Sequence, residues 1–300
     1  PILVACKAQG IHVVDMRDEK SAAFAADAEA RLSGGVGVAA VTAGPGVTNA
    51  ITALKNAQLA QSPLLLIGGA TATILEGRGS LQDIDQLALL RPCCKWAVAV
   101  KSLPALEQTL RRAIAVAQEG IPGPVFVELP VDLLYPEEIV RDWYRKESGV
   151  DKLGGLKGKA LDLFLRQHLY RQFHGPAWLA PRRFAGGEAL RATLPELPGK
   201  VGFAPAGSGL PTPPSDGVRE CLELLQQAER PVLVIGSQTM AGIKEPAALA
   251  EAVAALGLPT YLAGAARGLL GAESPLALRH KRRAALKEAD VVLVSGFPFD

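Results

Sequence analysis

A glycine-rich corner, Gly44-Pro45-Gly46, stands between an apolar run and a helix-like segment. The run Val36 to Val41 is short and partly β-branched, which predicts a strand buried on both faces. The segment Val47 to Gln61 carries apolar residues at helical spacing, and Pro63 closes it before Leu64 to Ile67 starts another buried strand. The sequence therefore predicts a βαβ unit with the corner at the carboxyl end of its first strand.

The position of this corner suggests that it binds a ligand. Open α/β sheets usually bind ligands at the carboxyl ends of their strands, where the free N–H groups of a helix start point outward. Glycine on both sides of Pro45 lets the backbone approach a bound group closely, because no Cβ intervenes. The alternative is that a strand-to-helix turn simply favours glycine, since the corner matches neither GxGxxG nor a P-loop.

Glu19 is the candidate acid–base residue. It begins a predicted helix, Glu19 to Leu32, which follows a predicted strand, Ile11 to Val14, and continues in mostly small residues. The helix dipole favours a carboxylate at this end, and close packing of the alanines could keep water away. The alternative is a capping role for Glu19 without chemistry.

Composition excludes several classes of function. The chain has 300 residues, of which 49% are hydrophobic and 21% charged, which suffices for a sizeable core in about two domains. A net charge of +2 and 5% aromatic residues argue against a nucleic-acid partner. No signal-peptide pattern or apolar run of membrane-spanning length occurs. Because the chain begins at Pro1 without Met and ends just after a strand-like run, we expect a fragment.

The cysteines predict neither a disulfide framework nor a zinc site. They lack CxxC spacing, and two of them are adjacent, so we expect all four to be reduced. These residues are Cys6, Cys93, Cys94 and Cys221.

The pattern along the chain predicts an α/β fold with two doubly wound parallel-sheet domains joined by an irregular linker. The predicted boundaries are residues 1–132 for the first domain, 133–214 for the linker and 215–300 for the second domain. Further predicted elements of the first domain are a helix at Ile2 to Ala8, a strand at Trp96 to Val100, a helix at Pro104 to Gln118 and a strand at Pro124 to Leu129. Those of the second are helices at Ser215 to Ala228, Ala247 to Leu256 and Leu278 to Ala289, with strands at Pro231 to Gly236, Pro259 to Ala263 and Asp290 to Gly296.

One segment of the linker, Lys157 to Phe173, is predicted to be a basic amphipathic helix. Such a helix packs against its own protein or lies on a membrane surface, and we favour the first. Its predicted apolar face comprises Leu161, Phe164, Leu165, Leu169 and Phe173.

Several phrases occur in the order of a known family. Arg17-Asp18-Glu19 and an alanine-rich AAxxAxxxAR pattern are followed by TAGPGVTN, by SP with four apolar residues and GG, by LQDIDQ and by GPVFVELPVD. This order resembles the pyrimidine-binding domain of thiamine-diphosphate enzymes of the acetolactate synthase superfamily. Residues 215–300 resemble the central, Rossmann-like domain of the same enzymes in the phrases RPVLVIGSQ, ARGLLG and ALKEADVVLVSG.

The resemblance implies roles for individual residues. Glu19 would hydrogen-bond N1′ of the cofactor's aminopyrimidine and so promote removal of the proton from C2 of the thiazolium. Gly44, Pro45, Gly46 and Asn49 would lie beside the pyrimidine and the substrate. Gln82, in LQDIDQ, would line the substrate side, although an ordinary loop glutamine is an equal alternative.

The resemblance also implies an activity. It implies a carbon–carbon lyase that cleaves a 2-hydroxyacyl-CoA to formyl-CoA and a shortened aldehyde, as in fatty acid α-oxidation. A carboligase acting on 2-oxo acids is the alternative, and the departure of Arg17-Asp18-Glu19 from the RHE of acetolactate synthases counts against it. A non-catalytic nucleotide-binding or assembly module is an alternative of another class.

The implied cofactors are thiamine diphosphate and Mg²⁺. The family's GDG motif for Mg²⁺ and diphosphate does not occur in these residues, so we expect no metal ligands here and place them in a further domain. The implied assembly is a homodimer or tetramer, with an acyl-CoA substrate and a location at the endoplasmic reticulum membrane. Some relatives bind FAD or ADP in the central domain, where Gly236 and Arg267 are the positions of interest, but a vestigial scaffold is favoured.

Overall fold

A computed structural model describes residues 1–175, 214–241 and 243–297. The described residues separate into two compact units, one with residues 1–28 and 36–175 and the other with residues 29–35 and 214–297. Each unit contains a four-stranded parallel sheet. The predicted α/β fold with two parallel-sheet domains is therefore confirmed. The rest of the predicted linker, residues 176–213, lies outside the described residues, and the exact domain boundaries stay a prediction.

The first unit alternates strands and helices as the sequence pattern indicates. Its α-helices are α1 Ile2–Ala8, α2 Glu19–Ser33, α3 Pro45–Asn49, α4 Ile51–Leu59, α5 Gln86–Leu90, α6 Leu103–Gln118, α7 Glu137–Ser148 and α8 Gly155–His174, although residues 29–33 of α2 are assigned to the other unit. Its strands are β1 Gly37–Val41, β2 Leu64–Ala70, β3 Trp96–Ala99 and β4 Pro124–Pro130. The single helix predicted over Val47 to Gln61 is two helices, α3 and α4, separated at Ala50.

The first sheet has the strand order β1-β2-β4-β3 and carries helices on both faces. Alternate residues of a strand point to opposite faces, so Leu64 and Leu66 share one core with α2 and α4. Leu65 and Val125 share the other core with α6. The carboxyl ends of β1, β2 and β4 therefore lie side by side at one edge of the sheet, where the Gly44-Pro45-Gly46 corner follows β1.

The prediction that β1 is buried on both faces is wrong. In the described chain Val38 is 54% exposed and Ala40 is exposed, whereas Gly37 and Ala39 are buried. The reason is the strand order, because β1 is an edge strand and its composition of small apolar residues does not reveal which strands flank it.

The predicted strand at Ile11 to Val14 does not form. Its residues have no regular secondary structure, and both Ile11 and Val14 are exposed. A strand requires a neighbour for its N–H and C=O groups, and no described strand pairs with this segment. Its apolar side chains are thus not sufficient evidence for a strand.

The helix predicted over Lys157 to Phe173 is confirmed as the greater part of α8, and it packs against its own protein. Leu165, Leu169 and Phe173 are buried in a cluster with Val140 and Tyr144 of α7. The prediction that Phe164 belongs to the buried face is wrong, because Phe164 is 49% exposed. None of the helices in the described part of the chain has the length and apolar character needed to cross a membrane.

The second unit is built in the same way around strands in the order β7-β6-β5-β8. Leu233 and Ile235 pack with Val253 on one face, and Val232 and Val234 contact the other core. Its elements are α9 Ser215–Gln227, β5 Pro231–Ile235, α10 Pro246–Leu256, β6 Thr260–Leu262, β7 Ala277–Leu278, α11 Arg282–Glu288 and β8 Val291–Ser295.

One boundary in this unit differs from the prediction. The helix expected from Leu278 to Ala289 begins only at Arg282. Leu278 instead lies in β7, which pairs with β6 through Thr260 and Tyr261. The backbone groups of Leu278 thus have a partner strand, which a local helical pattern does not anticipate.

The packing of α8 predicts the effect of shortening its side chains. Leu165→Ala should lower the free energy of unfolding by about 2–5 kcal/mol, because it leaves a cavity between α7 and α8. Leu163→Ala is the matched control, since Leu163 is 57% exposed on the same helix, and it should change stability by about 0.5 kcal/mol or less. Chemical denaturation of this chain measures both, and equal effects would contradict the docking of α8 by Leu165.

Candidate active site

Two adjacent acidic residues at the start of α2, Asp18 and Glu19, have different hydrogen-bond partners. Asp18 caps the helix, because its Oδ1 accepts a hydrogen bond from the N–H of Ser21 at 2.9 Å. This contact is the main reason why the pKa of Asp18 lies below its ordinary value. Since Asp18 already performs the capping, Glu19 is the first residue of the helix, with its carboxylate directed elsewhere.

The carboxylate of Glu19 is held by Asn49, the last residue of α3. Asn49 Nδ2 donates to Glu19 Oε2 at 2.9 Å and lies 3.4 Å from Asp18 Oδ2. This hydrogen bond from Asn49 is the main cause that lowers the pKa of Glu19, and a bond from its own backbone N–H adds to the effect. Glu19 is half-buried and Asn49 is exposed, so the pair lies at a surface that a ligand can reach.

The corner between β1 and α3 passes close to this pair. Gly44 has φ 64° and ψ −112°, a left-handed conformation that favours glycine, and Pro45 follows as the first residue of α3. A Cβ placed on Gly46 would lie 2.7 Å from Thr42 Cγ2 and 3.3 Å from Glu19 Oε1. The absence of a side chain at Gly46 therefore keeps the backbone next to the Glu19 carboxylate.

Gln82 approaches the corner from the segment between β2 and α5. A Cβ placed on Gly44 would lie 2.9 Å from Gln82 Cβ, so the two backbones are in close contact. Gln82 has φ 70°, a conformation that a residue with a side chain adopts rarely and that occurs disproportionately at binding sites. Its side chain is exposed. The structure thus brings together all six residues that the sequence analysis selected, namely Glu19, Gly44, Pro45, Gly46, Asn49 and Gln82.

Sequence reasoning missed a second glutamine of the same phrase, Gln86. Its side chain is only 2% exposed, and its Oε1 accepts from the N–H of Gly44 at 2.8 Å. Its Nε2 donates to the carbonyl of Gly69 at 3.0 Å and to Glu128 Oε2 at 2.7 Å. The LQDIDQ phrase, which contains Gln82 and ends at Gln86, was the sequence feature that could have indicated Gln86. The phrase does not reveal which of its two glutamines is buried.

Glu128, near the carboxyl end of β4, was also missed. Burial raises the pKa of its carboxyl above the ordinary value, and the hydrogen bond from Gln86 partly offsets this shift. The negative charges of Glu76 and Asp85 raise the pKa further. The carboxyl group of Glu128 therefore lies near two other carboxyl groups and is hydrogen-bonded to the amide of Gln86.

The second unit contains the two positions considered for a nucleotide. A Cβ on Gly236 would lie 2.2 Å from the carbonyl oxygen of Gly296, so Gly236 is explained by close backbone packing. Arg267 lines a cavity of about 730 Å³ together with Arg279 and Arg282. Three arginines among the lining residues suit a phosphate-bearing ligand, and the expectation of a vestigial scaffold without FAD or ADP stays a prediction.

Two family descriptions match the chain. Residues 1–89 match the family described as thiamine pyrophosphate enzyme, N-terminal TPP binding domain. Residues 218–300 match the one described as thiamine pyrophosphate enzyme, central domain. The two matches fall on the two parallel-sheet units in the order that the sequence phrases indicate.

Individual relatives match over almost the whole chain. The 2-hydroxyacyl-CoA lyase 2 of Caenorhabditis elegans is 50% identical over 297 residues, which are 99% of this chain and 42% of the relative. That of Homo sapiens is 47% identical over 296 residues, 99% and 43% of the two chains. The acetolactate synthase large subunit IlvG of Mycobacterium tuberculosis is 30% identical over 295 residues, 98% and 43%. The chain thus spans less than half the length of these relatives.

The contact between Asn49 and Glu19 predicts a measurable titration. Asn49→Ala should raise the pKa of Glu19 toward the ordinary value of about 4.3, because the largest cause of its lowering is removed. A lowered pKa in the folded state stabilises the fold above the ordinary pKa, and this contribution is lost as the pH falls through the lowered value. The variant's deficit in stability should therefore be present at neutral pH and shrink in acid.

The measurement is a carbon-13 NMR titration of the Glu19 carboxyl with parallel unfolding at several pH values. Asn56→Ala is the matched control, since Asn56 Nδ2 donates to Asp27 Oδ2 at 2.9 Å instead. An unchanged pKa of Glu19 in Asn49→Ala would show that the hydrogen bond does not hold the carboxylate in solution.

Proposed function

Since this chain belongs to the thiamine pyrophosphate enzymes, of which it contains the N-terminal and central domains, we propose that the complete protein is a thiamine-diphosphate-dependent carbon–carbon lyase. Its proposed substrate is a 2-hydroxyacyl-CoA, and its products are formyl-CoA and an aldehyde shortened by one carbon. The observation that carries the proposal is the Glu19 carboxylate, held by Asn49 beside the glycine corner.

The residues at this corner fit the aminopyrimidine ring of thiamine diphosphate. A flat ring needs close contact with the backbone, and Gly46, which has no side chain, keeps the corner next to Glu19 Oε1. It also needs a carboxyl group for a ring nitrogen, and Glu19 is half-buried beside an exposed Pro45 and an exposed Asn49. The donor and acceptor groups therefore match one edge and one face of the ring.

Each residue has a distinct proposed task. When bound, thiamine diphosphate supplies the carbon nucleophile for which protein side chains have no equivalent. Glu19 holds and exchanges a proton at N1′ of the pyrimidine, and Asn49 fixes the direction of its carboxylate. Gly44-Pro45-Gly46 provides close backbone contact with the ring, and Gln82 lines the substrate side.

The lyase proposal balances without a further reactant. Cleavage breaks the bond between the thioester carbonyl carbon and the carbon that bears the hydroxyl group. The hydroxyl carbon becomes the aldehyde, and the thioester carbon gains a proton and leaves as formyl-CoA. No oxidant or reductant is consumed, so acid–base groups and the cofactor suffice for the reaction.

The relatives favour the lyase over a carboligase. Identity is 50% and 47% to two proteins named as 2-hydroxyacyl-CoA lyase 2, against 30% to the acetolactate synthase large subunit IlvG. The proposal includes Mg²⁺ bound by residues outside this chain, a homodimer or tetramer, and a location at the endoplasmic reticulum membrane. A non-catalytic nucleotide-binding or assembly role is the competing proposal of another class.

Product analysis of the complete protein tests the proposed reaction. With thiamine diphosphate and Mg²⁺ present, a 2-hydroxyacyl-CoA should give formyl-CoA and the shortened aldehyde in equal amounts, whereas pyruvate should give no acetolactate. Mass spectrometry with substrate labelled at the thioester carbon should place the label in formyl-CoA. Acetolactate from pyruvate, without cleavage of the acyl-CoA, would instead establish the carboligase.

Glu19→Gln in the complete protein tests the residue that carries the proposal. Glutamine keeps the size of the side chain but does not exchange a proton with N1′, so turnover should fall by about 10²- to 10⁴-fold. Exchange of the C2 hydrogen of bound cofactor for deuterium should slow in parallel, while cofactor affinity changes far less. Unchanged C2 exchange together with a lowered melting temperature would reduce Glu19 to a structural residue and favour a non-catalytic role.

A further inference from the structure

The buried side chain of Gln86 makes hydrogen bonds to three neighbouring parts of the sheet. It accepts from Gly44, which follows β1, and donates to Gly69 of β2 and Glu128 of β4. These strands are adjacent in the sheet, and Gly68 is paired with Glu128 in its register. One amide group therefore connects the carboxyl ends of three strands.

The orientation of this amide is fixed by its surroundings. Its Nε2 faces two acceptors, the Gly69 carbonyl and the Glu128 carboxylate, while its Oε1 faces the N–H of Gly44. Turning the amide over would place oxygen against two oxygens and N–H against N–H, so only one orientation satisfies every contact. Glu128 thus contributes to fixing which atom of Gln86 points at Gly44.

The hydrogen bond to Gly44 determines where the corner lies. Gly44 is buried, and a buried N–H without an acceptor is costly. Gln86 provides that acceptor at 2.8 Å from the residue at which the chain turns into α3. Two residues later, Gly46 contacts Glu19, so a displaced Gly44 peptide would move the backbone that faces the Glu19 carboxylate.

We propose that Gln86 is the positioning residue of the cofactor site, holding the Gly44-Pro45-Gly46 corner against Glu19 through the Gly44 N–H, with Glu128 fixing the orientation of its amide. The inference rests on the proposed function only in that the corner receives thiamine diphosphate. Gln86 itself acts through the backbone of Gly44 and is not a catalytic residue.

The first experiment compares two buried glutamines in the complete protein. Gln86→Met keeps an unbranched side chain of similar size but removes all three hydrogen bonds. Gln172→Met is the matched control, because Gln172 is 3% exposed and its amide has no hydrogen-bond partner among the described residues. Any effect of Gln86→Met beyond that of the control then comes from the network rather than from burial of methionine.

Two measurements follow on these variants. Without cofactor, the amide hydrogen of Gly44 should exchange about ten-fold faster in Gln86→Met than in Gln172→Met, because its acceptor is gone. With Mg²⁺ present, calorimetry should show about ten-fold weaker binding of thiamine diphosphate for Gln86→Met alone. Equal exchange rates and equal affinities in the two variants would overturn the proposal.

A charge exchange keeps the test decisive if Gln86→Met does not fold. Gln86→Glu places two carboxyl groups in contact and should weaken cofactor binding more as the pH rises and both ionise. Gln86→Glu combined with Glu128→Gln restores a donor between the two positions and should recover most of the lost affinity. A double variant that binds no better than Gln86→Glu alone would contradict the role of Glu128.

These outcomes are separable from failure of the proposed reaction. If the wild-type complete protein binds thiamine diphosphate but does not cleave a 2-hydroxyacyl-CoA, the lyase proposal fails while the comparison of Gln86 and Gln172 is still measured by binding and amide exchange. If the reaction occurs and Gln86→Met matches the control, the positioning proposal alone fails.

Discussion

The buried N–H of Gly44 requires an acceptor, and this requirement shapes the whole carboxyl edge of the first sheet. A helix start leaves N–H groups without partners, and at this corner the chain turns before any helical carbonyl is available. The acceptor comes from Gln86, whose remaining hydrogen bonds go to Gly69 and Glu128. The conformation of the corner and the approach to Glu19 therefore depend on one buried amide.

The electrostatics of the edge divide into two kinds of carboxyl group. The pKa of Glu19 is lowered because Asn49 and its own backbone donate hydrogen bonds to it. The pKa of Glu128 is raised because it is partly buried, close to the other carboxylates Glu76 and Asp85. Glu19 is consequently the carboxylate that is ionised and accessible to a ligand, whereas Glu128 accepts a hydrogen bond from the amide of Gln86. The geometry thus separates an accessible carboxylate from one that belongs to the hydrogen-bond network of the sheet.

Most of this arrangement could be predicted from the sequence, and each wrong or missed prediction has an identifiable physical cause. The βαβ pattern and the corner could be predicted because helical and strand periodicities are local, whereas Glu19 was selected through the resemblance to a known family. The exposed face of β1 could not, since periodicity carries no information about strand order. The predicted strand at Ile11 to Val14 is wrong for a related reason, because a strand needs a neighbouring strand for its backbone hydrogen bonds. Gln86 was missed because two glutamines four residues apart differ only in burial, which the tertiary structure decides.

The segment that carries Gln82, from Thr73 to Gln86, is hydrogen-bonded at both ends to residues in or just after β4. At its far end Gln86 is bound to Glu128 of β4. At its near end the Asp132 carboxylate, two residues beyond β4, accepts from the N–H of Thr73 at 2.9 Å and from its hydroxyl at 2.7 Å. Asp132 is fully buried, and these donors satisfy its Oδ2, whereas its Oδ1 has no hydrogen-bond partner among the described residues. Both anchors follow from the carboxyl end of one strand, so the backbone that places Gln82 against Gly44 has a fixed start and a fixed end although Gln82 itself is exposed.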